Sequence, residues 1–412
     1  MKKGFYNIFF RGITLLSKFV FIVFLGKYSI DEVNLGVFGI ISTSLALLIY
    51  LLGFDFYVFN TREIIVAKKD YFSKIRDQLF FHVFAYILII PVALFFIFKM
   101  NFVPIEFLIV FSLLIFSEHI GQELYRLFTT FERSVVANIM LLIRSGIWVW
   151  YVLIDFFLFK NEVDLQKYIL IWALFSWGSL ILFIFLLINH IGTENIKLRK
   201  PDFEWITKGA KAASVFFIGS VSFQIIQFSD RYMIDYFFGK KLVGVYTAYA
   251  QFTNAIEVFT FSAITMVMYP KLISKFSNRY EYKRLKSLFS KQLVGASLIL
   301  ILIVLIVAPI VFQFLGKDSI ISELHTFYIL LIGIFFLIIS NVFHYDLYVK
   351  RKDFQILKVA VIAMLVNVSL NLILIPRLNI FGAALATLAS FLIIFILKFY
   401  YSKKLIKIND NS

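Results

Sequence analysis

The sequence predicts an all-α polytopic membrane protein: about twelve transmembrane helices, in two parallel six-helix halves around a central cavity. Three observations predict it. Of 412 residues, 61% are hydrophobic and the mean hydropathy is +0.88, whereas a soluble domain is nearer half apolar. Lys and Arg are unevenly shared between alternate loops. Two stretches far apart in the chain repeat the same turn.

A span needs about 20 mostly apolar residues. Such stretches lie at 6–26, 34–59, 78–98, 104–125, 136–158, 168–189, 212–236, 243–269, 292–314, 324–347, 356–376 and 380–400. The first, MKKGFYNIFFRGITLLSKFVFIVFLGK, reads as a retained span and not as a signal peptide. Arg11 and Lys18 interrupt its apolar run, and no A-x-A-like site follows. The second opens on SIDEVNLGVFGI, an interfacial turn leading into a helix. The longest connection, 190–211, holds the break Lys200-Pro201 and a stretch, FEWITKGAKAA, that reads as amphipathic and interfacial. The expected organisation is an N-terminal half (1–195), a cytoplasmic linker (196–211) and a C-terminal half (212–412).

The basic residues set orientation. Of 41 Lys and Arg, 29 fall on the side that holds the N-terminus and 8 on the other; Arg11, Lys18, Arg144 and Arg231 lie within spans. Both termini are therefore expected in the cytoplasm, with the net charge of +16 in loops at an anionic leaflet. That leaves no basic stripe for nucleic acid. There is no cysteine, and H-E-x-x-H, P-loop and G-x-S-x-G patterns are absent. The five histidines show no metal-ligand spacing, so neither a metal nor a cofactor is expected, and the chain does not read as an enzyme.

The halves resemble each other. FLGKYSIDEVNLGVFGI (24–40) matches FFGKKLVGVYTAY (237–249), and the distances from Gly36 to Arg62 and from Gly244 to Lys271 are 26 and 27 residues. ELY (123–125) matches DLY (346–348), each near the end of the fourth span of its half. Six spans per half make the repeats parallel, as in a carrier that rocks around a central cavity.

Several spans carry polar faces. Ser220, Gln224, Gln227 and Arg231 share one narrow helical face, which is expensive in lipid and suits a hydrated cavity. Gln251, Asn254 and Glu257 form a broader one; Glu257, near mid-span, is the candidate for coupling transport to an ion gradient. Asp230 is a second coupling candidate, with a local ion pair to Arg231 as the competing reading. Arg144 reads as a structural bridge within its half, Glu118 and Glu123 as a solvated rim, Asp55 and Asp346 as interfacial, and His344 as packing. Trp148, Trp150, Trp172 and Trp177 read as bundle or interfacial aromatics.

The segment NLILIPRLNIFGAALATLASF (371–391) resembles the region joining the last two helices of polysaccharide flippases of the MOP exporter superfamily. A helix end, Pro376, a tight turn and then small residues (Gly382, Ala383, Ala384, Ala386) allow close packing. That family usually has Gly where this chain has Asn379, which also tolerates φ > 0. LGVFGI, VGVYTAY and GFDFYVFNTREI are similar to the same family. The resemblance implies a MATE-like fold and a flippase. It would move undecaprenyl-pyrophosphate-linked repeat units of O-antigen or capsule from the inner to the outer leaflet of a bacterial cytoplasmic membrane. It also implies that Lys18 and Arg231, with Arg11 beside them, meet the pyrophosphate. Ser220, Gln224, Gln227, Gln251 and Asn254 would line the path of the sugar. Membrane lipids, a polysaccharide polymerase and a chain-length regulator are the partners implied. The alternatives are a multidrug or toxin cation antiporter on the same fold, which would favour acidic cavity residues, and a membrane polymerase or acyltransferase. A polymerase would carry a long outer loop with catalytic arginines, which this chain lacks.

Overall fold

The computed structural model describes residues 2–67, 71–191 and 200–410. The described residues are almost entirely helical and contain no strand. We number the long helices α1 (Lys2–Tyr28), α2 (Val33–Gly53), α3 (Tyr71–Lys99), α4 (Leu108–Thr130), α5 (Ser134–Phe159), α6 (Leu165–Ile191), α7 (Phe203–Phe238), α8 (Lys240–Ser274), α9 (Arg279–Leu315) and α10 (Leu324–Val349). The last helical run, Asp353–Asp410, is two helices, broken where Asn379 takes φ 50 and ψ −135. These are α11 (353–378) and α12 (380–410). Among the described residues, eleven helical runs are long and apolar enough to cross a membrane, and the break divides the last into two helices. The expected turn at Asn379 is present. Its Oδ1 accepts from Phe381 N at 3.1 Å, which helps hold a backbone geometry that favours glycine.

Two expected boundaries differ. The second span stops at Gly53 and does not run to 59, because Phe54 and Asp55 take left-handed φ of 51 and 50. A separate helix, Phe56–Ala67, follows. The stretch FEWITKGAKAA, read as part of the connection 190–211, forms the first turns of the 36-residue α7. Trp205 is buried there, donates to Glu63 Oε2 at 3.2 Å and packs on Phe56 and Phe59. Of the expected linker, 196–199 lie outside the described residues.

The chain forms two compact units: residues 1–30 with 40–217, and residues 31–39 with 218–412. In the first, Leu124, Phe128, Ala137, Met140, Leu180, Phe183 and Leu187 of α4, α5 and α6 build an apolar core. In the second, Tyr249 and Phe252 of α8, Phe312 of α9 and Phe327 of α10 pack ring to ring, with centroids 5.2–5.9 Å apart.

The two glycines of the matched turns both lie in this second unit. Gly36 and Gly244, aligned by the sequence match, meet directly: a Cβ on Gly244 would lie 3.0 Å from Gly36 N, and one on Gly36 would lie 1.8 Å from Lys240 O. The small residues of α12 do as their sequence implies. A Cβ on Gly382 would lie 2.4 Å from Leu374 O, and Ala383, Ala384 and Ala386 are fully buried.

Candidate functional site

The polar groups of the first unit gather around Glu118. Arg144 sits in a π-helical turn, Ile143–Ile147, that interrupts α5. Its Nε lies 3.1 Å from Glu118 Oε2. The N–H is not aimed along that line, so the contact is an ion pair without a linear hydrogen bond. Glu118 Oε1 accepts from Trp172 Nε1 at 3.0 Å and Ser176 Oγ at 3.2 Å, and Arg144 also donates to Glu118 O and Gln122 Oε1. The reading of Arg144 as a bridge within its half agrees with this geometry. The solvated-rim reading of Glu118 does not: it is 5% exposed, because α4 turns it inward against α5 and α6. Trp148 and Trp172 are bundle aromatics, stacked at 5.5 Å.

On α1, Arg11 Nε donates to Asn138 Oδ1 at 3.1 Å and NH2 to Tyr125 Oη at 2.6 Å, which engages its guanidinium inside the unit. Lys18 is different. It is exposed and makes no ion pair among the described residues; Glu118 and Arg144 are charged groups that act on it.

In the second unit, α7 and α8 bring the predicted stripe together in part. Gln227 Nε2 donates to Glu257 Oε2 at 3.4 Å. Gln224 is buried, while Ser220, Gln251 and Asn254 are half-buried. Arg231 is 5% exposed; its NH1 donates to Gln227 O at 2.8 Å and lies 3.2 Å from Asp230 Oδ1. Its guanidinium also faces the Tyr246 ring at 5.5 Å. The local ion pair between neighbours therefore forms, even though adjacent residues point about 100° apart, because Asp230 also accepts from Arg231 N at 2.8 Å.

Three groups were misread or missed in the sequence. Asp346, read as interfacial, is 1% exposed. It binds Lys286 at 3.1 Å, Lys350 at 3.0 Å, Tyr282 at 2.6 Å and Ser402 at 2.6 Å, joining α9, α10 and α12. Asp55, read the same way, is likewise buried, at 5% exposure. His82, His119 and Glu123, on α3 and α4, offer ligand atoms within 4.8 Å of one another. His119 and Glu123 are one turn apart on α4, a spacing visible in the sequence; His82 joins them only through the fold.

No protein-family model matches the chain, and no curated protein matches it. Solved structures do. An inward-facing multidrug-resistance MATE transporter of the MOP superfamily aligns with TM-score 0.74 at 14% identity, over 97% of this chain and 96% of that one. The lipid II flippase MurJ, in an inward closed conformation, aligns with TM-score 0.69 at 16% identity, over 97% and 87%. A MOP-superfamily transporter from Pyrococcus furiosus, described as having a binding pocket of reversed polarity, aligns with TM-score 0.61 at 14% identity, over 98% and 94%. Identities this low speak to architecture alone. The chain has the MATE-like, all-helical fold of MOP-superfamily transporters.

Proposed function

We propose that the protein is a flippase for lipid-linked oligosaccharides in the bacterial cytoplasmic membrane. Its halves, 1–195 and 212–412, rock about a central cavity to carry undecaprenyl-pyrophosphate-linked repeat units, of O-antigen or capsule, from inner to outer leaflet. The observation that carries this reading is Lys18, an exposed cation on an apolar helix with no ion pair among the described residues. Such a charge persists within a span only where water or an anionic ligand meets it. A pyrophosphate is that ligand, and Arg231 is its second contact, with the Nε and NH2 that Asp230 leaves over. The sugar passes Ser220, Gln224, Gln227, Gln251 and Asn254, whose amides and hydroxyls match sugar hydroxyls. Glu257 and Asp230 couple transport to the ion gradient. Both termini face the cytoplasm. The likeness to a solved lipid II flippase supports a lipid-linked substrate.

A second reading, a multidrug cation antiporter, is favoured by Glu257. That carboxyl is half-buried, with Gln227 as its hydrogen-bond partner. The likeness to a MATE transporter is consistent with it. Proteoliposomes containing the purified chain separate the two. A flippase carries undecaprenyl-pyrophosphate oligosaccharide across the bilayer, and Lys18→Ala cuts the rate at least tenfold while Lys18→Arg retains most of it. Proton-driven accumulation of a cationic dye with no lipid transfer would establish the antiporter instead.

A further inference from the structure

We propose that His82, His119 and Glu123 form a binding site for one divalent cation of the zinc class inside the first unit, outside the transport stripe. One nitrogen of each histidine and a carboxylate oxygen of Glu123 lie within 4.8 Å of one another. Four-coordinate zinc holds N and O ligands at about 2.0–2.2 Å, which sets their mutual spacing near 3.3 Å. His82 Nε2 and Glu123 Oε2, at 3.8 Å, already approach this. Closing the widest edge is a side-chain adjustment.

The outer partners are already placed. His82 Nδ1 lies 3.2 Å from Leu52 O and His119 Nδ1 lies 2.6 Å from Tyr86 Oη. Each contact fixes one ring nitrogen and leaves Nε2 as the ligand, the arrangement by which metal-binding histidines are oriented. His119 Nε2 is buried in a fully buried residue and has no hydrogen-bond partner. An orphaned imidazole nitrogen next to a second imidazole and a carboxylate is a costly arrangement for packing alone. A cation resolves it. Arg126 NH1, 2.5 Å from Glu123 Oε1, holds the carboxylate with its other oxygen toward His82.

A fourth ligand is at hand. Gln78 Nε2 lies 3.1 Å from His82 Nε2 and 2.7 Å from Glu123 Oε2, so the amide borders two of the ligand atoms. Its other end meets the Asn60 amide, whose own Oδ1 is buried without a partner. Amide orientation is assigned from hydrogen bonding. Turning both amides over aims Gln78 Oε1 at the ligand atoms and keeps the bond between the Gln78 and Asn60 amides. Two His, one carboxylate and one amide oxygen suit zinc and its neighbours, and not calcium, which takes oxygen ligands only. Occupancy would tie α3 to α4, and through Leu52 to the end of α2.

The test uses the full-length, tag-free protein in detergent, stripped of metal and titrated with Co2+ and then Zn2+. The expected result is one equivalent of Co2+ with the visible absorption of a four-coordinate ion, displaced by Zn2+. His119→Gln and Glu123→Gln should abolish it. Tyr86→Phe should weaken binding 10–100-fold, as loss of an outer partner does. Arg126→Gln should tighten it, because a neighbouring positive charge is removed. His325→Gln, which removes an exposed histidine paired with Glu323, should change nothing. No Co2+ absorption in the wild type would overturn the site, as would binding that survives His119→Gln or disappears with His325→Gln. If His119→Gln fails to fold, the opposed shifts of Tyr86→Phe and Arg126→Gln still decide: equal affinity in both would overturn it.

Discussion

Glu118→Gln tests whether charge or shape holds the first unit together. Glutamine keeps an oxygen for Trp172 and Ser176, now at 3.0 and 3.2 Å, so those two bonds survive at roughly 1 kcal/mol each. What is lost is the countercharge to Arg144, whose side chain is 4% exposed. Removing one partner of a buried pair costs about 3–5 kcal/mol, mostly because a charge is left alone in a poor solvent. The low end applies, since Arg144 retains neutral acceptors in Glu118 O and Gln122 Oε1. A loss of about 3 kcal/mol should appear as a clear fall in the temperature at which detergent-purified protein loses its monodisperse elution peak. The double replacement Glu118→Gln with Arg144→Met removes the stranded charge and should recover most of that fall. An unchanged melting temperature in the single variant would refute the reasoning, and so would a double variant no better than the single one.

Three further outcomes follow from the geometry. Gly36→Ala should destabilise the second unit by about 1–3 kcal/mol, because its Cβ would sit 1.8 Å from a backbone oxygen that cannot move aside, whereas Gly178→Ala, with nothing within 4 Å, should be neutral in the same melting assay. Asn379→Ala should cost about 1–3 kcal/mol and Asn379→Gly less, since the φ of 50 is strained for any residue with a Cβ. In the loop before α2, burial pushes the Glu32 carboxyl up, but bonds from Lys241 and Ser319 more than offset this and hold it below the usual carboxylate value. The stability it adds is present above the unfolded pKa of about 4.3 and fades as pH falls through the lower folded value. Because Lys241 is 56% exposed, the effect is screened to under about 1 kcal/mol, and Glu32→Gln should flatten that acid limb of a melting-temperature profile only slightly.

What the sequence made legible was whatever a one-dimensional period can carry. Spans of about 20 apolar residues, the Asn379 turn and the close packing around Gly382 all depend on neighbours in the chain. The exit of the second span was misjudged because the hydrophobic run continues through Phe54 and Phe56, while the break is a pair of left-handed φ angles that composition does not announce. Glu118 and Asp346 were misplaced for a related reason. Distance from a span end was used as a measure of solvation, yet both acids are enclosed by helices that arrive from elsewhere, α5 and α6 for one, α9 and α12 for the other. The histidine cluster was invisible because 37 residues separate His82 from His119.

The cations of the two units are not equivalent, and the difference bears on how an anionic substrate would be held. Arg231 carries its own counter-ion at 3.2 Å, so the pair is close to neutral as seen from a distance. Its remaining donors give direction more than attraction, since a guanidinium fork can donate to a phosphate oxygen without leaving Asp230. Lys18 lies on an exposed face, and Glu118, the carboxylate that acts on it, is already committed to Arg144, Trp172 and Ser176. Lys18 supplies net positive field. On the proposed function, Lys18 attracts the substrate and Arg231 orients it. On that account Arg231→Lys should lose more than Lys18→Arg does, because the fork is replaced by a point charge at a site whose field was already cancelled. Asp230→Asn should tighten substrate binding and slow its release, by freeing the charge that the native pair holds in check.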